Sequence, residues 1–203
     1  MSKHRFPPHL MRKLEKLKFE FQYRQLQVNP EAIDFYSNDY LGFIRYSDTS
    51  PSPQLPKSGA GGSRLISGNS KEVERLEHTI ASYHHAEAAL VYPSGYQANV
   101  GLYSVIAGRG DTLLFDEACH ASIRDGMRLS HANAISFKHN NLDDLKAKLA
   151  QASGHVYIVV ESLYSMDGDC APFADLVKIC KESGALLILD EAHALGVFGP
   201  NGE

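Results

Sequence analysis

Residues 156–193, VYIVVESLYSMDGDCAPFADLVKICKESGALLILDEAH, contain two short apolar runs separated by a helix-like segment. The runs VYIVV (156–160) and ALLIL (185–189) are bounded by polar or glycine residues, which predicts two strands. Residues 173–183 between them are predicted to form a helix, with Pro172 at its first turn and Gly184 after its end. This order predicts two parallel strands joined by a crossover helix.

The same alternation extends towards the N-terminus. Three further apolar runs predict strands at AALVY (88–92), TLLF (112–115) and AISF (134–137). Helix-like segments lie beside them at 96–107, 120–130 and 142–151, the last with Asn141 as its predicted cap. Such alternation is typical of an α/β fold with a mostly parallel sheet and helices on both faces.

The sequence before residue 88 is less regular. Apolar residues recur at helical spacing among charged ones at Leu10, Leu14, Leu17 and Phe21, and predict an amphipathic first helix. Proline and glycine between Asn29 and Ser63 indicate mostly loop and short strand. Asn69 and Glu72 resemble a capping box for a helix whose face carries Val73, Leu76, Ile80 and Tyr83. We expect an N-terminal helix and arm at 1–50 and one larger domain at 51–203.

Bulk composition excludes several classes of function. The 203 residues are 43% hydrophobic and 22% charged, which is ordinary for a globular protein. A net charge of -4 gives no support for binding a nucleic-acid backbone. The three cysteines lack CxxC spacing, so neither a disulfide framework nor a zinc site is indicated. The charged start and the lack of a long apolar run predict no membrane segment, and we expect a cytoplasmic protein.

Polar side chains follow the predicted strands at the point where each ends. They are Tyr92-Pro93-Ser94-Gly95, Asp116-Glu117, Lys138-His139, Glu161-Ser162 and Asp190-Glu191-Ala192-His193. In open α/β sheets ligands bind at the carboxyl ends of the strands. The sequence therefore predicts a ligand site at this edge.

Asp190 is the strongest single candidate at that edge. It closes an apolar strand, where an unpaired carboxylate is costly, and no lysine or arginine lies nearby in sequence. A ligand with a protonated ring nitrogen, such as the pyridinium of pyridoxal 5'-phosphate (PLP), would satisfy it. A strand-end cap or a surface carboxylate is an equally good interpretation of Asp190 alone. The DEAH string also occurs in nucleotide-driven enzymes, but their phosphate-binding loop GxxxxGK[ST] is absent here.

Two further positions fit a ligand site. Ser94, Gly95 and Tyr96 turn from a predicted strand into a helix, where backbone amides can hold a phosphate, although a tight turn alone would also use glycine. His120 opens the next helix and could cover a flat ring or move protons, or simply cap the helix. GAGGSRLISGN lacks the spacing of a dinucleotide cradle, and no GxSxG or HExxH pattern is present, so hydrolase and metal chemistry are not indicated.

Taken in order, the longer motifs resemble the α-oxoamine synthases. They are SNDYLG (37–42), GAGGSRLISG (59–68), YPSGYQAN (92–99), CHASI (119–123), ESLYSMDGDCAP (161–172) and DEAHALGVFG (190–199). The resemblance spans nearly the whole chain. It implies the large domain of a fold-type I PLP-dependent transferase, similar to aspartate aminotransferase, and a homodimer.

The resemblance also implies roles for individual residues. Gly95 and Tyr96 match the backbone pair near the cofactor phosphate, His120 the imidazole stacked on the ring, and Asp190 the partner of the ring nitrogen. The remaining matches are Ser165 and His193 around the ring hydroxyl, Glu161 and Asn38 lining the site, and Arg24, in the first helix, at the substrate carboxylate or else on the solvated surface. His120, Asp190 and His193 are the predicted catalytic residues.

The implied reaction joins an amino acid to an acyl-CoA. The amino acid loses its α-proton, its carbon attacks the thioester, and loss of CoA and carbon dioxide leaves an α-oxoamine. NDYLG (38–42) resembles the biotin-pathway member that uses alanine and a pimeloyl thioester. Glycine C-acetyltransferases, serine palmitoyltransferases and 5-aminolevulinate synthases share most other motifs.

The resemblance places the Schiff-base lysine on a strand beyond DEAHALGVFG, and this sequence ends at Glu203. Lys178 and Lys181 belong to a predicted surface helix, and Lys138 ends a different strand. We therefore expect a truncated N-terminal fragment of a longer enzyme, inactive alone. The alternative is a protein that functions as it stands, as a non-catalytic ligand-binding or partner subunit.

Overall fold

The computed structural model describes residues 7–24, 33, 37, 40–41, 62–199 and 202 of the 203-residue chain. The chain forms two compact units, Met1–Asp39 and Tyr40–Glu203. The domain boundary predicted after residue 50 lies outside the described residues. So do Asn38 and most of the loop predicted between Asn29 and Ser63.

The first unit contains the predicted N-terminal helix, which is confirmed as α1 (Pro8–Phe19). Pro8 is tolerated at the start because the first helical amides have no partner within the helix. Lys16 and Lys18 lie in the last turn, where their positive charges interact favourably with the negative end of the helix dipole. The helix ends before Phe21, whose φ of 55° is left-handed. The placement of Arg24 in this helix is therefore wrong, because Arg24 follows the left-handed turn. No helix in the described ranges is long and apolar enough to cross a membrane.

The second unit begins its regular structure with α2 (Lys71–Tyr83), preceded by one π turn over Arg64–Gly68. The predicted cap is wrong by one residue. Ser70 caps the helix by accepting a hydrogen bond from the amide of Val73, whereas Asn69 accepts from Arg64 and donates to Glu74. The residues of α2 that are buried within the described structure are Glu77 and Ala81.

A four-stranded parallel sheet forms the centre of this unit. Its strands are β1 (Thr112–Asp116), β2 (Asn133–Phe137), β3 (Val156–Glu161) and β4 (Leu186–Asp190), in the spatial order β2-β1-β3-β4. Every pairing is parallel, which confirms the predicted sheet and its apolar runs.

The helices of the second unit lie on both faces of the sheet. They are α3 (Gly95–Tyr103), α4 (Ala121–Leu129), α5 (Leu142–Leu149) and α6 (Phe173–Ser183). The chain passes from β1 to β2 in one direction and then returns past β1 to β3 and β4, so right-handed crossovers place α4 opposite α5 and α6. The contacts agree, since α3 packs on α4 while α5 packs on α6. The predicted caps Asn141 and Gly184 are confirmed.

The strand predicted at AALVY (88–92) is wrong within the described structure, where this segment forms no ladder. The amide of Val91 donates to the carboxylate of Glu77 at 2.9 Å instead of to a neighbouring strand. Glu77 also receives two hydrogen bonds from the Arg64 guanidinium. The Glu77 carboxylate, itself paired with Arg64 of the π turn, therefore binds the backbone of a segment whose apolar composition suggested a strand.

The core lies between the sheet and the two helical layers. Its largest fully buried side chains include Tyr103, Tyr164, Phe137, Leu113, Leu114, Ile123, Leu145, Ile158 and Leu176. The buried sheet therefore carries the carboxyl ends of all four strands, and the residues that follow them, at one edge.

Candidate active site

The N-terminus of α3 presents free backbone amides at this edge. Ser94 caps the helix through its side chain, which accepts from the amide of Gln97 at 3.2 Å. Within the described structure the amides of Gly95 and Tyr96 have no acceptor, as expected for the first turn of a helix. A Cβ added at Gly95 would meet no atom within 4 Å, so the backbone is open to an approaching anion.

The Asp190 carboxylate ends β4 and is half-buried. Its Oδ2 accepts a hydrogen bond from Asn99 Nδ2 at 2.8 Å, and its Oδ1 accepts from the Ala192 amide at 2.9 Å. Among the described residues no lysine, arginine or histidine nitrogen lies within 4.0 Å of it. Two neutral donors thus orient this carboxylate, which pairs with no side-chain cation in the described part of the chain.

His120 is the N-cap of α4 and lies at the same edge. Its Nδ1 is 2.7 Å from Ser122 Oγ and 3.2 Å from the Ser122 amide nitrogen. The imidazole is exposed, and its ring lies 6.4 Å from that of Tyr96 at a right angle. Tyr96 in turn donates its hydroxyl to Asp125 of α4, which raises the pKa of the tyrosine. The first residues of α3 and α4 are therefore coupled.

Glu161 ends β3 beside Asp190, with which it is paired in register. Its side chain is buried and accepts a hydrogen bond from the backbone amide of His120 at 2.5 Å. Burial raises the pKa of Glu161 to about 6; the His120 amide opposes the shift, and the charges of Asp190 and Asp116 add to it. Glu161 therefore positions the start of α4 and takes up a proton just below neutral pH.

Replacing Glu161 by glutamine should stabilise the protein at neutral pH relative to the unsubstituted protein. The folded-state pKa of Glu161 is raised above its ordinary value of 4.5, so its contribution is most favourable below pH 4.5 and is lost as the pH rises through about 6. We expect the difference in unfolding free energy between the two proteins to change by on the order of 1–2 kcal/mol between pH 4.5 and 7.5, measured by urea denaturation.

Glu182→Gln is the matched control, because Glu182 lies on the exposed surface of α6. Its difference from the unsubstituted protein should stay nearly constant over the same pH range. A Glu161→Gln difference that is equally constant would show that Glu161 has an ordinary pKa.

A cavity of about 270 Å³ adjoins the end of β3. It is lined by Tyr40, Leu163, Tyr164, Ser165, Gly168, His193 and Val197. The structure thus brings together Ser165 and His193, as well as Tyr40 of the SNDYLG motif. The Tyr40 hydroxyl lies 2.7 Å from His193 Nδ1 and holds that ring at the cavity wall.

His139, which follows β2, anchors the loop that carries Ser165. Its Nδ1 lies 2.8 Å from Asp116 Oδ1, and its Nε2 lies 3.0 Å from Asp169 Oδ2. Burial alone would lower the pKa of His139, but the two carboxylates outweigh it and raise the pKa above its ordinary value. His139, Asp167 and Asp169 hold potential metal ligands within 4.8 Å of one another, yet both ring nitrogens of His139 already bind carboxylates.

Two groups of predicted site residues therefore emerge. Gly95, Tyr96, His120, Glu161 and Asp190 are joined by contacts between α3, α4 and the strand ends. Ser165 and His193 share the cavity. Arg24 belongs to the first unit, and Asn38 lies outside the described residues.

Sequence reasoning missed two residues that connect Asp190 to His120 within the first group, Asn99 and Ser122. Asn99 donates to both Asp190 and Ser122, and Ser122 is fully buried against His120. Both residues lie inside quoted motifs, YPSGYQAN and CHASI. The available signal was that Asn99 is a polar residue one helical turn after Gly95, where the proposed phosphate-binding turn begins α3.

Three lysines of the second unit, Lys138, Lys178 and Lys181, belong to neither of these groups. Lys138 follows the edge strand β2 and is exposed. Lys178 is 4.0 Å from Glu182 on the exposed surface of α6, and Lys181 is in the last turn of that helix.

Comparison with known proteins identifies relatives that match most of this chain. The model of the family described as aminotransferase class I and II matches residues 30–202. An 8-amino-7-oxononanoate synthase from Marinobacter nauticus is 41% identical over 174 residues, which cover 84% of this chain and 44% of the relative. The chain thus spans about half the length of the curated relatives it matches.

Solved structures give the same picture. A serine palmitoyltransferase from S. paucimobilis with a bound PLP–myriocin aldimine matches with a TM-score of 0.75 and 27% identity, over 96% of this chain and 54% of that one. An 8-amino-7-oxononanoate synthase from Francisella tularensis matches with a TM-score of 0.59 and 30% identity, over 80% of this chain and 41% of that one.

Proposed function

Because the chain belongs to the aminotransferase class I and II family, we propose that it binds PLP at the carboxyl ends of its strands and condenses an amino acid with an acyl thioester. The products would be an α-oxoamine, carbon dioxide and free thiol. We propose further that the enzyme works as a cytoplasmic homodimer with amino-acid and acyl-CoA substrates.

One observation carries the proposal. The half-buried Asp190 carboxylate is oriented by neutral donors and meets no protein cation in the described part of the chain. A protonated pyridine nitrogen is the kind of group that such a carboxylate stabilises. The residues present therefore fit the ring of PLP.

The other parts of the site support the same ligand. The free amides of Gly95 and Tyr96 at the start of α3 suit a phosphate dianion, because the helix dipole and two donors point to the same place. His120 would cover the ring from the start of α4. Ser165 and His193 are held on one cavity wall and would lie around the ring hydroxyl.

Bound PLP would supply a sink for the electrons released when a bond to the α-carbon of the amino acid is broken. Asp190 would keep a proton on the ring nitrogen, and the donors Asn99 and Ala192 would keep Asp190 in place. His120 and His193 would hold or transfer protons at their imidazole nitrogens. Arg24 and Asn38 are proposed to contact the substrate.

For the substrate we propose L-alanine and a pimeloyl thioester, which give 8-amino-7-oxononanoate for biotin synthesis. The NDYLG motif and the 41% identity to a relative named 8-amino-7-oxononanoate synthase support this choice. The similarity to a serine palmitoyltransferase favours serine with a long acyl chain as the second candidate. Glycine with an acetyl group is the third.

A thiol-release assay separates these candidates. The full-length enzyme is supplied with alanine, glycine or serine, each against pimeloyl-, acetyl- and palmitoyl-CoA. We expect CoA release to be fastest with alanine and pimeloyl-CoA. A hydrophobic site discriminates only about 10- to 200-fold for one methylene, so all pairs must be compared over a wide range of concentrations. Release with glycine or serine alone would contradict the biotin-pathway assignment.

We also propose that the lysine that binds PLP covalently in the complete enzyme is not one of those in this sequence. The positions of Lys138, Lys178 and Lys181, on an edge-strand loop and an exposed helix, support this. Treatment of the 203-residue chain with PLP and borohydride, followed by peptide mass spectrometry, should show no single preferred lysine. Trapping at one specific lysine would contradict this proposal, and turnover by this chain alone would contradict the inactivity that follows from it.

A further inference from the structure

We propose that Asn99 and Ser122 form a directed hydrogen-bond chain from Asp190 to His120 that fixes the imidazole of His120 with its proton on Nε2. Asn99 and Ser122 are positioning residues in this account, since they act through Asp190 and His120. The inference deepens the proposed function and rests on it insofar as Asp190 and His120 serve the same cofactor. The hydrogen-bond chain itself depends only on residues of this protein.

The direction of the hydrogen-bond chain is set at Asp190. An ionised carboxylate can only accept hydrogen bonds, so the side chain of Asn99 must turn its amide nitrogen, not its oxygen, towards Asp190 Oδ2, 2.8 Å away. The second hydrogen of the same nitrogen then points to Ser122 Oγ at 3.0 Å. The charge of Asp190 therefore determines that Asn99 is a donor to Ser122.

The next step follows from the hydrogen bonds that the Ser122 hydroxyl can donate and accept. Ser122 Oγ already accepts from Asn99, and its single hydrogen is left to donate. His120 Nδ1 lies 2.7 Å from this oxygen, and the backbone amide of Ser122 donates to the same nitrogen from 3.2 Å. Two donors converge on Nδ1, which must therefore carry a lone pair. Because Ser122 is fully buried, water cannot easily replace either of these contacts.

The acceptor role of Nδ1 determines the protonation of Nε2, on the other side of the His120 imidazole. When Nδ1 accepts, the proton of the neutral ring resides on Nε2, which forms no hydrogen bond within the described structure. This N–H is thus left to face a ligand as a donor. Asp190, which is proposed to bind the ring nitrogen of the cofactor, thereby selects the tautomer of His120, which is proposed to cover the same ring.

Nuclear magnetic resonance of protein labelled with 15N-histidine tests the inference directly. The imidazole signals of His120, one of ten histidines, are identified by their loss in His120→Gln. We expect Nδ1 to show the 15N shift of an unprotonated nitrogen and Nε2 that of a protonated one. A proton on Nδ1 in the unsubstituted protein would overturn the proposal.

Two variants each remove one contact of the hydrogen-bond chain. Ser122→Ala removes the hydroxyl donor and should shift the Nδ1 resonance towards that of a more weakly bonded nitrogen. Asp190→Asn does not touch His120 directly but should shift the same resonance, because Asn99 is no longer held as a donor to Ser122. The exposed Ser82→Ala is the control and should leave the resonance in place. An unchanged resonance in both variants would overturn the proposal.

The experiment uses neither cofactor nor substrate. If the protein failed to bind PLP, the proposed function would fall while the tautomer could still be fixed as described. If the tautomer were wrong and PLP still bound, the function would stand without this hydrogen-bond chain.

Discussion

Replacing Asp190 by asparagine is expected to lower kcat/KM for the condensation by on the order of 10²–10³-fold, the range found when one preorganised electrostatic partner is removed. The amide fills nearly the same volume and can still bond to the Ala192 amide through its oxygen. It carries no charge, and so the proton on the ring nitrogen loses the group that stabilises it. Steady-state kinetics of the active enzyme with saturating PLP measure the effect.

Asp175→Asn is the matched control, because Asp175 is an exposed carboxylate in the first turn of α6. Its kinetics should remain within a factor of about two of the unsubstituted enzyme, since an isolated surface charge contributes little. An Asp190→Asn enzyme as active as this control would show that the carboxylate has no part in the chemistry.

Replacing Gly126 by alanine is expected to destabilise the fold by about 1–3 kcal/mol, the usual cost of overpacking a closely packed interior. Gly126 lies in α4 where that helix meets α3. An added Cβ would lie 2.8 Å from the Asn99 carbonyl oxygen and 2.9 Å from Tyr103 Cβ. Because the nearest atom is backbone and belongs to Asn99, relief of the clash must move the residue that orients Asp190. Urea denaturation should therefore show lower stability, together with weaker PLP binding.

Gly108→Ala is the control for this substitution. A Cβ at Gly108 would meet only Asp111 Oδ2, at an ordinary 3.8 Å. Its unfolding free energy should stay within about 0.5 kcal/mol of the unsubstituted protein. A Gly126→Ala protein that matched this control would mean that α3 and α4 can separate without cost.

The sheet and its class could be predicted because each strand of the sheet is a continuous apolar run bounded by polar residues. The runs at 112–115, 134–137, 156–160 and 185–189 all became strands of one parallel sheet. The family match and the similar solved structures confirm the resemblance to the α-oxoamine synthases and the fold-type I architecture. Motifs in a fixed order carried that conclusion, whereas no single motif did.

The errors have a common cause, which is a competing contact. The run at 88–92 is as apolar as the true strands, but the amide of Val91 is bound by a side chain. Asn69 is a good cap in isolation, yet Arg64 engages it and Ser70 caps instead. Neither partner is visible in a local pattern.

The site could be predicted only in part for the same reason. Strand ends must meet at one edge of a parallel sheet, which predicts Glu161 and Asp190 at the same edge, and the structure pairs them in register. Asn99 lies 91 positions before Asp190 in sequence, and nothing local to either residue indicates that they are hydrogen-bonded. The close approach of α4 to Asn99 at Gly126 is likewise a contact between distant segments that no local pattern shows.

The protonation state of the cofactor's ring nitrogen is the most direct measure of what Asp190 does. PLP labelled with 15N at that nitrogen is bound to the protein, and its resonance is recorded near pH 7.5 with and without Asp190→Asn. We expect the shift of a protonated pyridine nitrogen in the unsubstituted protein and of an unprotonated one in the variant. An unprotonated nitrogen in the unsubstituted protein would contradict this expectation.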